Sequence, residues 1–283
     1  MTSTSTSLSD PKGFRAFERA GWQKVAAGYH DHFASLTSQA VEPLLDAVGV
    51  RAGTRFLDVA TGPGYAAAGA VQRGAVTVGI DFAAPMVAQA RRQCPGARLL
   101  VGDAEDLPLP DGIFDAVAMN FGLLHLAQPE KTLREMYRVL RPGGRVGFSV
   151  WRKPEEAVGF GIVLRSTETY GDLNAPLPAG PPFFRFSEPA ECSRVLWEAG
   201  FRDLKIGIIP QVWRLPSPDA LAEAMLAGTV RTGGLLRAQP RDALRAILAA
   251  IRDAVRAYEK NGAVELPMPA VLASAMKGRH ESK

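Results

Sequence analysis

Apolar residues recur along the chain in two rhythms, and the change from one to the other falls near residue 50. Trp22, Val25, Ala26, Tyr29, Phe33 and Leu36 share one face at a spacing of about 3.6, which predicts a first helix. Val41, Leu44, Leu45 and Val48, opened by Ser38 and closed by Gly49, predict a second. From there short apolar runs at 55–59, 76–80, 98–101, 114–120 and 145–150 read as strands, and helical patterns at about 65–73, 85–94 and 129–140 separate several of them. Pro85 and Pro129 stand where a first helical turn begins, and "RPGG" at 141–144 is a stop followed by a tight turn. Such alternation predicts an α/β fold: a doubly wound, Rossmann-like, mostly parallel sheet with helices on both faces.

Beyond residue 151 the rhythm loosens. A Pro/Gly/Phe-rich segment, 152–186, precedes a helix from Ser187 to Ala199, ended by Gly200, and a sixth strand at 204–215. A helical stretch follows at 217–260, with Leu244, Ile247, Leu248, Ile251, Val255 and Tyr258 on one face. Ala263 to Ala273 is the candidate for a seventh strand pairing back onto the sheet, although Pro267 and Pro269 cannot donate to a ladder. The expected organisation is a disordered tail at 1–18, cap helices at 19–50 and a ligand-binding core at 51–151. A lid insertion follows at 152–186, then a core helix and strand at 187–215, a helical lid at 216–262 and a last strand and tail at 263–283.

Composition narrows the function classes. The 283 residues are 47% hydrophobic and 22% charged, and the formal charge of +4 comes from 33 basic residues interspersed with 29 acidic ones, which reads as solvated surface and not as a nucleic-acid face. Cys94 and Cys192 are far apart with no histidine at ligand spacing, so both are expected to be reduced and no metal site is expected. No apolar run approaches the roughly 20 residues of a membrane span, and the start "MTSTSTSLSD" lacks the order of a signal peptide. A cytoplasmic location without membrane association is therefore expected, and the oligomeric state stays open.

Candidate chemistry begins at "FLDVATGPGY", 56–65, where a strand runs into a glycine-rich turn. Ligands of an open parallel sheet sit outside the carboxyl ends of its strands, and Gly62 and Gly64 fall at such an end. A phosphate loop fails because no Gly-Lys-Ser/Thr follows. Gly62, Gly64 and Ala67 formally satisfy the dinucleotide pattern, yet Asp58 just before the loop would repel a pyrophosphate, and Pro63 removes an amide donor. Both features point away from a phosphate, and Asp58 suits the ammonium and sulfonium of S-adenosylmethionine instead. Asp81, 17 residues after Gly64, can accept ribose hydroxyls in either type of ligand. In "GDAEDLP", Asp103 can accept from an adenine amino group while the Ala104 amide donates to the ring.

With "GIDFAAPM", "GDAEDLPLPDGIFDAV", "NFGLLHL" and "RVLRPGGRV" following "LDVATGPGY" in order, residues 20–151 resemble the class I S-adenosylmethionine-dependent methyltransferases. The resemblance is to the branch holding the ubiquinone and menaquinone biosynthesis enzymes and many small-molecule methyltransferases. It implies a seven-stranded sheet with helical lid insertions and S-adenosylmethionine as cofactor. It further implies that the loop Ala60, Thr61, Gly62, Gly64 meets the methionyl part and that Asp81 holds the ribose, with Phe82 and Met86 beside the adenine. Asp103, Ala104 and Glu105 would surround the adenine edge, Asn120 and Phe121 would line the floor, and Tyr29 would close over cofactor or substrate. For Phe82, Met86 and Tyr29, plain packing is the competing reading.

A sulfonium methyl is already electrophilic, so few catalytic side chains are needed. If the acceptor must lose a proton, His125 after the fourth strand is the candidate base, ahead of His30, with packing as the alternative role. The segments 152–186 and 216–262 bring Phe160, Phe183, Phe184, Phe186 and Met225 over the site, with Trp151 and Trp213 near their roots. Tyr29, Trp151, Phe183, Phe184 and Phe186 are the candidate substrate residues, suited to a small, largely apolar acceptor methylated on oxygen or carbon. Nucleic acid is disfavoured because strand four ends in "NFGL" without the Asn/Asp-Pro-Pro-aromatic grip on a flipped base. A non-methylating protein that keeps the same cofactor pocket, and a nicotinamide oxidoreductase, are the alternatives.

Overall fold

A computed structural model describes residues 10–260 and 262–278. The first helix, α1 (Pro11–Thr37), starts far earlier than the apolar pattern from Trp22 implies. Asp10 caps it by accepting from the Lys12 amide at 3.1 Å, and Pro11 occupies its first turn. The expected disordered tail at 1–18 is thereby corrected over its second half, where Phe14 and Glu18 are buried, while its residues 1–9 lie outside the described residues. A 3-10 turn (Ser38–Ala40) leads into α2 (Val41–Ala47).

The core then alternates as its rhythm predicts: β1 (Arg55–Val59), α3 (Tyr65–Gln72), β2 (Val76–Asp81), α4 (Ala84–Gln93), β3 (Arg98–Val101), β4 (Phe114–Asn120), α5 (Pro129–Val139) and β5 (Leu140–Trp151). The central strands are apolar throughout because both faces are covered. Phe56, Ala116 and Ala118 pack against Leu44 and Leu45 of α2, while Leu57, Val59, Val117 and Met119 face the other side. "RPGG" does not end before a strand but lies inside one. Pairing between β4 and β5 jumps from Phe114–Leu140 to Ala116–Arg145, so residues 141–144 form a bulge.

The second half departs further from its reading. α6 (Val158–Tyr170) lies within what reads as an irregular Pro/Gly/Phe segment, because Gly159 and Gly161 dilute its helical pattern. After α7 (Pro189–Glu198), the single sixth strand expected at 204–215 is two: β6 (Phe201–Ile209) in the main sheet and β7 (Val212–Leu215) in another. Pro210 separates them, lacking the N–H that a continuous ladder needs. The helical lid resolves into α8 (Ala220–Gly228), α9 (Arg231–Arg237) and α10 (Arg241–Val255). The last apolar run likewise divides at Met268 and Pro269. β8 (Glu259–Lys260) and β9 (Ala263–Pro267) join β7 in a three-stranded sheet, and β10 (Ala270–Lys277) returns to the main one.

The main sheet has seven strands in the order β3-β2-β1-β4-β5-β10-β6, parallel except for β10, which runs antiparallel to both neighbours. Strand order reverses between β1 and β4, and their carboxyl ends open the crevice where such folds bind ligands. α1 crosses that crevice and is held from behind by α8. At their crossing, a Cβ on Gly28 would lie 2.3 Å from the Ala227 carbonyl oxygen, so only glycine admits this approach. Trp213 fastens the small sheet to α1: it is fully buried, its ring lies 4.6 Å from Phe33, and its indole N–H donates to the His32 carbonyl at 3.2 Å. Trp213→Ala is expected to cost about 3–5 kcal/mol by cavity formation and loss of that bond. The exposed Arg214→Ala should stay within about 0.5 kcal/mol, and urea unfolding of the two variants measures the contrast.

Candidate active site

The turn after β1 is organised by one buried carboxyl. Asp58 Oδ2 accepts from the Thr61 hydroxyl at 2.6 Å and the Ala67 amide at 3.0 Å, tying both limbs of the turn to the strand end. Its other oxygen, Oδ1, is buried without a hydrogen-bond partner. Burial raises the Asp58 carboxyl from 3.8 to about 7, against the two hydrogen bonds and with a contribution from Asp81. Gly64 adopts a left-handed φ of 90° as the N-cap of α3, and a Cβ there would lie 2.9 Å from the Ala90 Cβ, so the position suits glycine. Ala60 and Phe121, at the ends of β1 and β4, take φ values of 53° and 54° without that excuse. Strained non-glycine backbone at two adjacent strand tips is typical of a functional cleft.

Asp81 closes the next strand. Its Oδ2 accepts from the Gly62 amide and its Oδ1 from the Ala83 amide, both at 2.9 Å. Burial lifts it to about 6, opposed by the amides of Ala83 and Gly62 and by the charge of His125. Two buried acids thus flank the turn, one with an oxygen left over, and Phe82 and Met86 line the same cavity. A cationic ligand with polar hydroxyls fits this donor set, because it supplies what Asp58 Oδ1 lacks and what a pyrophosphate cannot.

At the third strand, Asp103 Oδ1 accepts from the Glu105 amide at 2.8 Å, and its Oδ2 lies 3.5 Å from Arg15 Nε. Glu105, expected at the adenine edge, has a different occupation. Its Oε1 accepts from the Ala127 and Gln128 amides at 2.9 Å each, and its Oε2 pairs with Arg15, so this carboxylate braces the loop after β4. Asn120 is similarly engaged, donating to the Thr37 carbonyl at 3.1 Å and accepting from the Ser149 hydroxyl at 2.6 Å. Phe121 stacks on Trp151 with ring centroids 3.9 Å apart.

α1 forms the roof, presenting one residue per turn. Arg15 meets Asp103 and Glu105, and Tyr29 stacks on Phe33 at 5.5 Å with its hydroxyl 3.4 Å from Thr37 Oγ1. Burial pushes the Tyr29 hydroxyl up to about 12, so it remains a neutral donor. His30 Nδ1 lies 2.7 Å from the Tyr65 hydroxyl at the rim. Between them, fully buried Glu18 accepts from the Trp22 indole at 3.0 Å and lies 3.2 Å from His125 Nδ1 through the same Oε2. The His125 ring is further clamped edge-on by Trp22 at 4.8 Å and by Phe183 at 5.8 Å. A proton on Nδ1 facing the carboxylate leaves the lone pair of Nε2 to the cavity side chemistry.

Most residues singled out from the sequence converge on one cavity: Asp58, Ala60, Thr61, Gly62, Asp81, Phe82, Met86, Asp103, Ala104, Glu105, Asn120, Phe121, His125, Tyr29, Trp151 and Phe183 all line it. Three do not. Gly64 sits behind the turn against α4, Phe184 lines a neighbouring apolar cavity, and Phe186 is sunk in the core against Phe148. Of the residues that sequence reading passed over, Glu18 had a signal. It stands four positions from both Phe14 and Trp22, a lone acid inside an apolar stripe. Phe160 appears in that reading only as a lid aromatic; Arg15, Tyr65, Arg231 and Thr232 join the lining through tertiary packing that no local pattern announces.

Comparison with known proteins agrees with this geometry. The family described as methyltransferase domain matches residues 57–148. A demethylmenaquinone methyltransferase of Thermus thermophilus is 46% identical over 121 residues, covering 41% of this chain and 54% of the relative. One from Clavibacter sepedonicus is 32% identical over 196 residues, 61% of this chain and 75% of the relative. Among solved structures, Haemonchus contortus phosphoethanolamine N-methyltransferase 2 in complex with S-adenosyl-L-methionine superposes with a TM-score of 0.56 at 17% identity, covering 94% of this chain and 60% of that one. The matches span about half the length of the first curated relatives, 46%, 54% and 47%. Sheet order, the acidic turn and this kinship together make the chain a member of the class I S-adenosylmethionine-dependent methyltransferase family, on the branch that includes the demethylmenaquinone methyltransferases.

Proposed function

We propose that the protein transfers a methyl group from S-adenosylmethionine to an oxygen or carbon of a small, largely apolar organic molecule. The observation that carries this reading is the pair of buried acids at the tips of β1 and β2 beneath an aromatic roof, with Asp58 Oδ1 unpartnered. When bound, S-adenosylmethionine supplies an electrophilic methyl group on a sulfonium. Asp58 and Asp81 are assigned to its cationic methionyl end and ribose hydroxyls, with Ala60, Thr61 and Gly62 offering backbone. Phe82 and Met86 flank the adenine, and Asp103 with Ala104 reads its edge. Tyr29, Trp151, Phe160 and Phe183 enclose the acceptor and exclude water. A compact aromatic chamber suits neither a polymer nor nucleic acid. With both cysteines buried and unpaired, a reducing cytoplasmic setting suits the chain.

His125 is the assigned base, its Nε2 taking the proton of a hydroxyl or acidic carbon while Glu18 holds Nδ1. This is the orienting logic of a carboxylate behind an imidazole. Incubation with methyl-labelled cofactor and a panel of phenols, enols and hydroxylated isoprenoids tests the reading. Labelled product supports it, whereas tight cofactor binding without transfer across the panel points to a non-methylating protein of this fold. Saturable NAD binding without S-adenosylhomocysteine binding would point to an oxidoreductase.

Two further outcomes are expected. A carboxyl whose folded value lies above its unfolded one stabilises the fold only while protonated. For Asp58 that contribution is complete below 3.8 and lost as pH rises through about 7. The ammonium of the ligand's amino-acid end needs the ionised form, so affinity for S-adenosylhomocysteine, which keeps that ammonium without the sulfonium, should be highest above about pH 7. Below that, it should fall by up to about tenfold per pH unit for each carboxyl involved. Calorimetric titration across pH, repeated on Asp58→Asn, measures this, and a flat wild-type profile counts against the assignment. Separately, His125→Ala should lower kcat by roughly 10²–10⁴-fold and Glu18→Gln by on the order of 10²-fold. In both, steady-state kinetics should find the KM for cofactor little changed.

A further inference from the structure

The cavity is lined by two arginines among the described residues, and they are treated differently. Arg15 is ion-paired with Asp103 and Glu105. Arg231, in the first turn of α9, is half-buried and has no carboxylate within ion-pair distance among the described residues. Only its Nη1 is engaged, donating to the Pro181 carbonyl at 2.9 Å and the Leu124 carbonyl at 3.5 Å. Nε and Nη2 keep their protons unassigned. Its Cζ lies over two aromatic rings, 5.3 Å from the Phe14 centroid and 5.4 Å from that of Phe183. Burial pulls this guanidinium below its ordinary value while the charge of Glu18 pulls it back.

A half-buried guanidinium anchored by carbonyls and aromatic rings, with one edge uncommitted, is placed to meet an anionic group entering the cavity. Its position says what. Leu124 immediately precedes His125, and Phe183 touches both the His125 and Arg231 groups, so the free edge and the imidazole address neighbouring parts of one space. Arg231, Thr232, Phe160 and Phe183 are also shared with a second, apolar cavity lined by Leu164, Leu173 and Leu177. Most acids of the main cavity are accounted for: Asp103 and Glu105 by Arg15, Asp58 and Asp81 by the turn and its cationic ligand, and one oxygen of Glu18 by His125 and Trp22; Glu18 Oε1 is buried without a partner, and its charge acts on Arg231 from beyond ion-pair distance.

We infer that Arg231 binds an anionic oxygen of the methyl acceptor, which makes the acceptor an apolar organic acid with a hydroxyl near a carboxylate, not a neutral quinol. The fork pairs with the carboxylate, the hydroxyl reaches His125, and the apolar body lies over Phe160 and Phe183 toward the leucine-lined cavity. This inference rests on the methyltransferase reading of the cavity.

The test uses the full chain saturated with S-adenosylhomocysteine, titrated calorimetrically with 1-hydroxy-2-naphthoate and with its neutral carboxamide. In the wild type the acid should bind at least about tenfold tighter than the amide, the scale of one well-formed charged pair. Arg231→Gln should bring the two to parity, Arg231→Lys should keep part of the preference, and both should bind S-adenosylhomocysteine within about twofold of wild type, which also certifies their fold. Equal binding of acid and amide by the wild type, a preference surviving in Arg231→Gln, or no binding of either probe would overturn the inference. A parallel loss of S-adenosylhomocysteine affinity in Arg231→Gln would overturn it too, moving the guanidinium to the cofactor carboxylate. A wild type that fails to bind S-adenosylhomocysteine at all would sink the methyltransferase reading itself.

Discussion

A carboxyl group placed where water cannot reach it governs this molecule. Asp58 ends a strand covered on both faces, and every neighbour that could solvate it is part of the turn it organises. One oxygen spends its lone pairs on Thr61 and Ala67, which fixes how β1 passes into α3. The other has no protein partner, so the fold carries an unmet polar demand into the crevice between β1 and β4. Asp81 repeats the arrangement one strand over, with both oxygens given to backbone amides. Burial raises the proton affinity of both acids, the charge of Asp81 adds to the rise at Asp58, and a positive ligand in the crevice relieves the pair.

The roof distributes charge with the same economy. Along α1, Arg15, Glu18, Tyr29 and His30 address four different parts of the crevice, and the apolar residues between them seat the helix on α8 and the strand ends. A single rigid element therefore touches Asp103 and Glu105 at one end of the cavity and Tyr65 at the other. His125 gains its orientation from this helix and not from its own loop, so the arrangement of the imidazole depends on α1 being docked.

Much of this was legible in the chain. Strands β1, β3 and β4 fall on the residues that their apolar runs mark out, because central parallel strands need unbroken hydrophobicity on both faces. The acids at strand tips were legible for the same reason: a charged residue closing a buried strand has few innocent explanations. Glu18 escapes a helix that begins at Trp22, although the i, i+4 series through Phe14 runs across it. The small sheet and the division of the last apolar run were hidden because Pro210 and Pro269 break ladders at places where hydrophobicity continues. Arg231 carries no local signature, since its meaning comes from partners distant in the sequence, Leu124, Pro181 and Phe183.

The position of β10 has a consequence for how the protein comes off the ribosome. This strand fills the slot between β5 and β6, yet it is made after everything else in the sheet, and Lys277 near its end clasps the carbonyls of Tyr137 and Leu140. Until synthesis has passed residue 277, β5 and β6 each present a naked rim that any passing extended peptide can occupy. The nascent chain must therefore wait, half-assembled, for its own closing piece, and a host that synthesises it has reason to shield those rims in the interval.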